Sequence, residues 1–355
     1  MSGDRIPIPG DYSVGEWLRG EGDDADVAVC TRVRFARNVQ DYRFSTSMPN
    51  EEAAKLTEFL VAQLTQPGLR EELRVRQVSE LAELERRELL ERHLISRELA
   101  TAERPRAVAV NDRESVSVMV NEEDHIRTQV FACGHDIPEA YRRAEALDEQ
   151  LMERVQFAFN EEFGFLTACP TNAGTGLRVS VMLHLPGLVW AEEIEKATTA
   201  AQKTNMAVRG LYGEGSRATG DFYQVSNQIT LGRTEDQITG DVSSAVRSLV
   251  AWERKIRGAL LSGEPRSRTL DRIYRALGTL ERAHVLATEE ALGCLSAVRF
   301  GVRQGLLAAP SIAKLNLALL LSQPAHLQRL CGGPLSAAER DERRATLIRQ
   351  LVADD

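Results

Sequence analysis

From residue 178 to 185 the chain alternates without a break. Arg178, Ser180, Met182 and His184 occupy one set of positions, and Val179, Val181, Leu183 and Leu185 the other. A period of two places these sets on opposite faces of a strand, one polar and one apolar. Extended segments are also predicted at 27–39, at 106–110 and 115–120 with a hairpin signal at Asn111-Asp112 between them, and at 206–212 and 222–231. Leu56, Phe59, Leu60 and Leu64 fall on one stripe of a helix that Pro49-Asn50 opens and Pro67-Gly68 ends. Residues 69–103 and 137–163 are read as helical and charge-rich, and 191–203 as a helix. Beyond Thr234 the strand pattern disappears. Residues 240–355 read as almost wholly helical, with a break at Ser262-Gly263-Glu264-Pro265. The order predicts an α+β chain: a mostly antiparallel sheet flanked by helices over residues 1–256, then an all-helical region over 257–355.

Composition narrows the function classes. With 355 residues, 43% hydrophobic and 27% charged, the chain has the make-up of an ordinary globular protein. No apolar run reaches membrane-span length and the first residues do not resemble a signal peptide, so a cytoplasmic location is expected. A net charge of −8 argues against wholesale nucleic-acid binding. Five widely spaced cysteines with no CxxC pair argue against a disulfide framework and a structural zinc site. Lysine occurs only at positions 55, 196, 203, 255 and 314, and none follows a glycine. There is therefore no Walker A loop, and no GxGxxG either, so any nucleotide is held by other means.

Candidate chemistry concentrates at residues 169–178, Cys-Pro-Thr-Asn-Ala-Gly-Thr-Gly-Leu-Arg. Two glycines let backbone N–H groups approach an anion, and Arg178 adds a planar fork suited to phosphate oxygens. Arg32 and Arg34, two apart on an extended segment, point to one face and repel unless an anion or solvent lies between them. With Arg127, Arg178 and Arg209 they form a set of strand-end arginines able to hold a triphosphate. Any one of them alone reads more readily as a surface arginine.

Four segments together resemble the guanidino (phosphagen) kinases, in that family's order. Residues 31–38 match SRxRxxRN with Thr31 at the first position, 121–127 match NEEDHxR, 169–178 match CPxNxGTGLR and 209–214 match RGxxGE. Cys30 stands where many members have serine. The resemblance implies a phosphagen-kinase-like catalytic domain over 1–256 that binds ATP, with Mg²⁺ held mainly through the nucleotide phosphates and water and no dedicated protein metal site. It implies that Arg32, Arg34, Arg127, Arg178 and Arg209 clamp the phosphates and that His93 packs near the adenine. It further assigns Cys30, Thr31, Val33, Val179, Ser180, Val181, Met182, Gly210, Leu211, Tyr212, Gly213 and Glu214 to the nucleotide site. Glu123 and Glu214 would face a substrate guanidinium, whose delocalised lone pairs make it a poor nucleophile that needs alignment and a base. Cys169 would align the same group without forming a covalent intermediate. Glu122 reads more simply as part of a solvated pair, and His125 as structural.

The matching segment begins at Thr31, whereas small-molecule members carry a longer helical domain before it, and here a helical region follows the catalytic part. Both departures resemble the bacterial protein-arginine kinase branch, as do residues 91–96, 208–215 and 225–232. Residues 340–345, Arg-Asp-Glu-Arg-Arg-Ala, resemble that branch's RDxxRA motif. The implication is a phosphoarginine-binding regulatory pocket formed by Arg340, Asp341, Arg343, Arg344 and Ala345. Without the resemblance this is a solvated helix face after a capping box at Ser336–Glu339. The resemblance implies an enzyme that phosphorylates arginines of proteins, marks them for ClpC–ClpP degradation in stress, works with an activator of the McsA type and forms a homodimer through its helical region, with no nucleic-acid or membrane binding. The alternatives are a kinase for free arginine and a non-catalytic phosphoarginine-binding adaptor.

Overall fold

The computed structural model describes residues 5–10, 12–101, 103–210 and 219–353. Its strands are β1 (Ala28–Arg37), β2 (Arg74–Gln77), β3 (Ala107–Val110), β4 (Val116–Val120), β5 (Ile126–Cys133), β6 (Phe159–Asn160), β7 (Gly164–Phe165), β8 (Leu177–His184), β9 (Met206–Gly210) and β10 (Phe222–Asn227). Eight of them form one sheet in the order β2-β3-β4-β5-β1-β8-β10-β9, and β6 pairs with β7. Every pairing between these strands is antiparallel.

The helices are α1 (Asn50–Thr65), α2 (Glu83–Glu91), α3 (Arg97–Ala100), α4 (Ile137–Met152), α5 (Pro186–Trp190), α6 (Ile194–Gln202), α7 (Glu235–Leu260), α8 (Pro265–Arg282), α9 (Thr288–Arg303), α10 (Ile312–Leu321), α11 (Pro324–Leu330) and α12 (Ala337–Ala353). Two N-termini show why they begin where they do. The Asp136 side chain accepts from Glu139 N ahead of α4, and Thr234 forms a capping box with Gln237 ahead of α7.

Strand alternation divides the sheet into two unlike faces. Val33, Phe35, Val130, Val179, Val181 and Val225 lie in one core with Leu56 and Leu60 of α1, Leu147 and Leu151 of α4, and Val242 and Val246 of α7. Burying each such side chain contributes on the order of 1.5–3 kcal/mol, which fixes the strand register strongly. The other face carries the polar residues. At one end it passes into a second core, where Cys30, Phe131, Met182 and Phe222 pack with Ile273 of α8, Leu292 and Phe300 of α9, and Ile348 of α12. The helical region thus covers one end of the polar face.

The α+β class and the all-helical tail agree with the sequence reading. Three local differences stand out. Residues 74–77 are a strand at the sheet edge, where charged Arg74 and Arg76 hide the period of two. Residues 126–133 form a long internal strand, β5. The expected helix over 137–163 stops at Met152, and the chain turns where Asn160 Oδ1 accepts from the N–H groups of Glu162 and Phe163.

Candidate active site

Antiparallel register brings the arginines together. Arg34 on β1 lies opposite Arg178 on β8 and opposite Gln129 on β5, while Arg32 lies opposite Ser180. Ser180 pairs in turn with Ser226 of β10, and Gln224 of β10 pairs with Arg209 of β9. Arg127 lies two residues before Gln129 on β5 and so on the same face. Arg32, Arg34, Arg127, Arg178 and Arg209 therefore share the polar face across four strands.

Several of these side chains are braced. Arg32 Nη2 donates to Gln224 Oε1 at 2.6 Å, and Arg178 Nη2 to Ser226 Oγ at 3.2 Å. Arg34 Nε is buried without a hydrogen-bond partner. Burial, followed by the positive charge of Arg32, Arg178 and Arg127, pushes the Arg34 guanidinium well below its usual pKa. Burial acts the same way on Arg32. A face that disfavours its own positive charge is suited to a polyanion, which supplies the missing acceptors.

Arg127 also ends the acidic turn. Its Nη1 lies 2.6 Å from Glu122 Oε2, and its Nη2 lies 2.7 Å from Glu123 Oε2 and 3.8 Å from Asp124 Oδ2. Glu122 is buried, whereas the Glu123 side chain is 33% exposed and open to a ligand. Asn121, in the left-handed region at φ 56°, closes the turn by donating from its backbone N to His125 O at 3.0 Å. Asp124 Oδ1 accepts from Asn38 Nδ2 at 2.8 Å and from Ala168 N at 2.7 Å, which fastens the acidic turn to the segment before Cys169. His125 is structural, as its sequence context suggests. It is buried, its Nδ1 accepts from Val39 N at 2.9 Å, and its Nε2 faces Arg43 O at 2.8 Å.

Cys169 is part-exposed, with Sγ 2.9 Å from Thr171 Oγ1. Its loop is held from below. A Cβ on Gly174 (φ 100°) would lie 2.9 Å from Thr230 O, and one on Gly176 (φ 63°) would lie 2.6 Å from Ala36 O. Thr230 Oγ1 reaches the carbonyls of Thr171 and Ala173. Arg37 donates from Nη1 to Thr175 O at 2.8 Å, bonds Asp148 Oδ2 through Nε and Nη2 at 3.1 and 2.7 Å, and stacks 3.6 Å over Phe165.

His93, also left-handed (φ 59°), sits edge-on to Trp17 with ring centroids 4.5 Å apart. Gln129 Nε2 donates to its carbonyl at 2.8 Å. Burial and then the charge of Arg32 push the His93 pKa down to about 3, so the ring is neutral. Trp17, Cys30, Phe131, Met182 and His93 line a small cavity that Arg32 and Gln224 also border. Burial pushes the Cys30 thiol up to about 12.

Not every residue assigned by resemblance reaches this face. Val33, Val179 and Val181 lie in the apolar core, and Thr31 is buried with Oγ1 donating to Gly134 O at 2.9 Å. Gly210 ends β9 at the sheet edge, while Leu211, Tyr212, Gly213 and Glu214 lie outside the described residues. Four residues that the sequence reading passed over brace the site: Gln129, Gln224, Asp124 and Arg37. Arg37 and Asp124 stand at fixed positions of the 31–38 and 121–127 segments, and Gln129 lies two positions after Arg127 on one strand; only Gln224 carried no signal.

The 340–345 segment opens α12. Arg340 Nη1 donates to Leu335 O at 2.7 Å. Arg344 is buried, donates to Ser322 O at 2.9 Å and Leu286 O at 2.7 Å, and pairs with Asp341 Oδ1 at 2.5 Å. Ala345 is buried in the second core. Arg343, with Arg349 and His284, lines a neighbouring cavity of about 460 Å³. The Ser336–Glu339 capping box is formed.

An arginine-lined sheet face joined to an acidic turn and a cysteine loop is the arrangement expected of a phosphotransferase acting on guanidino groups. Residues 55–256 match the ATP:guanido phosphotransferase C-terminal catalytic domain, and residues 266–354 match the protein-arginine kinase McsB C-terminal domain. The chain is 40% identical over 354 residues to a protein-arginine kinase of Bacillus mycoides (strain KBAB4), covering 99% of both chains. It is 40% identical over 343 residues to one of Bacillus cereus (strain G9842), covering 96% of both. Among solved structures, a lombricine kinase aligns with TM-score 0.58 and 22% identity, over 73% of this chain and 74% of that one, and shares the fold. The substrate-free duplicated taurocyamine kinase of Schistosoma mansoni aligns with TM-score 0.59 and 25% identity, over 81% of this chain and 42% of that one. The chain belongs to the ATP:guanido phosphotransferase family, in its protein-arginine kinase branch.

Proposed function

We propose that this enzyme transfers the γ-phosphoryl group of ATP to the guanidinium of arginine side chains in proteins. The observation that carries the reading is the double role of Arg127, which belongs to the arginine face and holds Glu122 and Glu123 at 2.6 and 2.7 Å. A phosphate clamp and a guanidinium-facing carboxylate are thereby set side by side.

In this reading Arg32, Arg34, Arg127, Arg178 and Arg209 bind and align the triphosphate and stabilise charge on its equatorial oxygens. Trp17, Phe131 and His93 offer the nucleotide ring an apolar cavity. Mg²⁺, when bound with the nucleotide, would supply neutralisation of part of the phosphate charge, and the arginine face would supply the rest. Glu123 and Glu214 grip the substrate guanidinium, and Cys169 aligns it. A phosphorus–nitrogen bond forms while the bond from phosphorus to the β–γ bridging oxygen breaks. ADP leaves with that electron pair, and one of the two carboxylates accepts the nitrogen's proton.

The finer roles belong to the same proposal. Residues 1–256 act as the catalytic domain and 257–355 as a dimerisation and regulatory domain, supported by the helical packing and the McsB C-terminal match. The cavity lined by Arg343 and Arg349 serves as a phosphoarginine-sensing site, while Arg340, Asp341 and the buried Arg344 and Ala345 hold its helix in place. An activator of the McsA type, delivery of products to ClpC–ClpP and a part in stress response follow from the branch. A cytoplasmic location suits five free cysteines. Among the described residues, no helix is long and apolar enough to cross a membrane.

The test is transfer of labelled γ-phosphate to an unfolded protein, to the same protein with every arginine replaced by lysine, and to free arginine. Label on the first substrate alone supports the reading. Label on free arginine alone makes the enzyme a small-molecule kinase, and no label on any of the three supports the adaptor reading.

A further inference from the structure

We infer that the two elements walling the Cys169 loop form a docking surface for the substrate chain: an extended segment with apolar side chains two residues before and two residues after the arginine that is phosphorylated. This preference presupposes the proposed transfer to protein arginines and names the segment that such transfer favours.

The Cys169 loop lies between two walls. On one side is the β6–β7 hairpin, where Phe165 N donates to Gly174 O at 2.8 Å and Gly174 N to Phe165 O at 3.2 Å. A Cβ on Gly164 would lie 2.6 Å from Gly174 O, so hairpin and loop are in backbone contact. On the other side is the segment that leaves β10. There Thr230 Oγ1 reaches Thr171 O at 2.9 Å and Ala173 O at 2.7 Å, and a Cβ on Gly174 would lie 2.9 Å from Leu231 Cα.

Both walls present large apolar side chains to solvent. Phe159 and Phe163 on the hairpin are 58% and 45% exposed, and Ile229 and Leu231 on the other wall are 48% and 47% exposed. Thr230 between the last two is buried, so its neighbours turn outward together. Phe159 is held edge-on to Phe165 with ring centroids 5.2 Å apart, and the Arg37 guanidinium lies 3.6 Å over Phe165. A single exposed apolar side chain is ordinary, whereas four around one loop mark an interaction surface.

The position of the surface identifies its occupant. Asp124 Oδ1 accepts from Ala168 N at 2.7 Å, which holds the acidic turn of Glu123 against the Cys169 loop. An arginine whose guanidinium reaches Glu123 and Cys169 therefore brings its own backbone over this loop, and the chain on either side of it crosses the two walls. In an extended segment, residues two apart face the same way at a spacing of about 7 Å. Side chains two positions from the arginine then meet the walls, while its immediate neighbours face away. Glu161 and Glu162, exposed between the two phenylalanines, make one wall negative, so acidic flanks are disfavoured.

The test uses three unstructured peptides of equal length, each with one arginine among serine and glycine, assayed with Mg-ATP. One carries leucine two residues before and after the arginine, one carries leucine immediately before and after it, and one carries none. The expected kcat/KM for the first exceeds both others by about tenfold or more, mainly through KM, as burial of two leucines produces. The double variant Phe163→Ser, Ile229→Ser loses that advantage. Its kcat/KM for the leucine-free peptide and its KM for ATP stay within about twofold of the parent, which also establishes that it is folded. If the double variant does not fold, Phe163→Ser and Ile229→Ser singly each remove part of the advantage.

Equal rates on the two leucine peptides, or an advantage that the variants keep, overturn the inference. Sedimentation of parent and double variant tests a second copy of the chain as the occupant: dissociation of an oligomer with the peptide preference unchanged also overturns it. Free arginine and an unfolded protein, assayed in parallel, separate the two levels. Label on the unfolded protein with no preference among the peptides removes the docking surface alone. Label on free arginine and on no peptide or protein removes transfer to protein arginines, and the docking surface with it.

Discussion

Arg34 and Arg178 face each other across adjacent antiparallel strands, two cations in direct register at the centre of the polar face. Like charges at such positions are destabilising. Arg34 is further penalised by burial and by Arg32 and Arg127 nearby. The fold keeps this arrangement because the apolar side of the same strands fixes the register, so the polar face carries electrostatic strain that a bound anion would relieve.

ADP is therefore expected to raise the melting temperature strongly, by the equivalent of about 2.7 kcal/mol at a hundredfold excess over its Kd. Arg34→Ala reverses the balance. The ligand-free protein becomes as stable or more stable, and most of the ADP-induced shift disappears. Thermal unfolding with and without ADP checks both halves. A variant that loses stability without ligand yet keeps the full shift speaks against the clamp.

Arg37 shares the 31–38 segment with Arg32 and Arg34 but is a buried strut. Arg37→Ala leaves Asp148 buried without its cation and frees Thr175 O, and is expected to cost about 3–5 kcal/mol. Chemical denaturation measures this. A loss below about 1 kcal/mol would remove Arg37 from the loop's support.

Much of this was legible in the sequence, for a physical reason. A period of two assigns faces without tertiary knowledge, so the alternation at 178–185 correctly separated Arg178 and Ser180 from Val179 and Val181. The same rule placed Arg32 and Arg34 on one face. It was less direct for strands whose polar positions carry charges: Arg74 and Arg76 on the edge made β2 resemble a helix surface. Contacts between distant segments left no local trace. Nothing near Asp124 announces that it bonds Ala168, and nothing near Arg344 announces that its guanidinium is buried among the carbonyls of Ser322 and Leu286. The motif resemblance supplied residue types, but it could not separate the valines facing the core from the arginines on the polar face.

Glu123→Gln keeps the shape of the side chain and its ability to accept from Arg127 while removing the carboxylate. A fall in kcat of about 10²–10⁴-fold is expected for loss of a general base or aligning carboxylate, with ADP affinity nearly unchanged. Steady-state kinetics beside ADP titration distinguishes this from misfolding. Retained kcat would leave proton acceptance to Glu214.

Burial pushes the pKa of His93 down to about 3 and lowers those of His125 and His184. These rings resist protonation in the native state, whereas in the unfolded chain they protonate below about pH 6.5. The unfolded state then binds more protons, so stability falls as pH drops from about 6.5 toward 5. Burial raises the pKa of Asp221, Asp148 and Glu253, which opposes this effect wherever the native state takes up those protons before the unfolded chain does. Unfolding free energy measured from pH 7.5 to 5.5 should fall toward the acid end, each proton bound by the unfolded chain alone contributing about 1.4 kcal/mol per pH unit. A flat profile would mean that these rings titrate normally.

The most direct measurement is phosphorus NMR at neutral pH, where an acid-labile P–N bond survives, on enzyme mixed with Mg-ATP and an unfolded arginine-containing protein. The account predicts a phosphoarginine resonance that stays with the protein after filtration, absent with Glu123→Gln and absent when free arginine replaces the protein. A resonance that appears only with free arginine, or one from a phosphate ester on the protein, would contradict it.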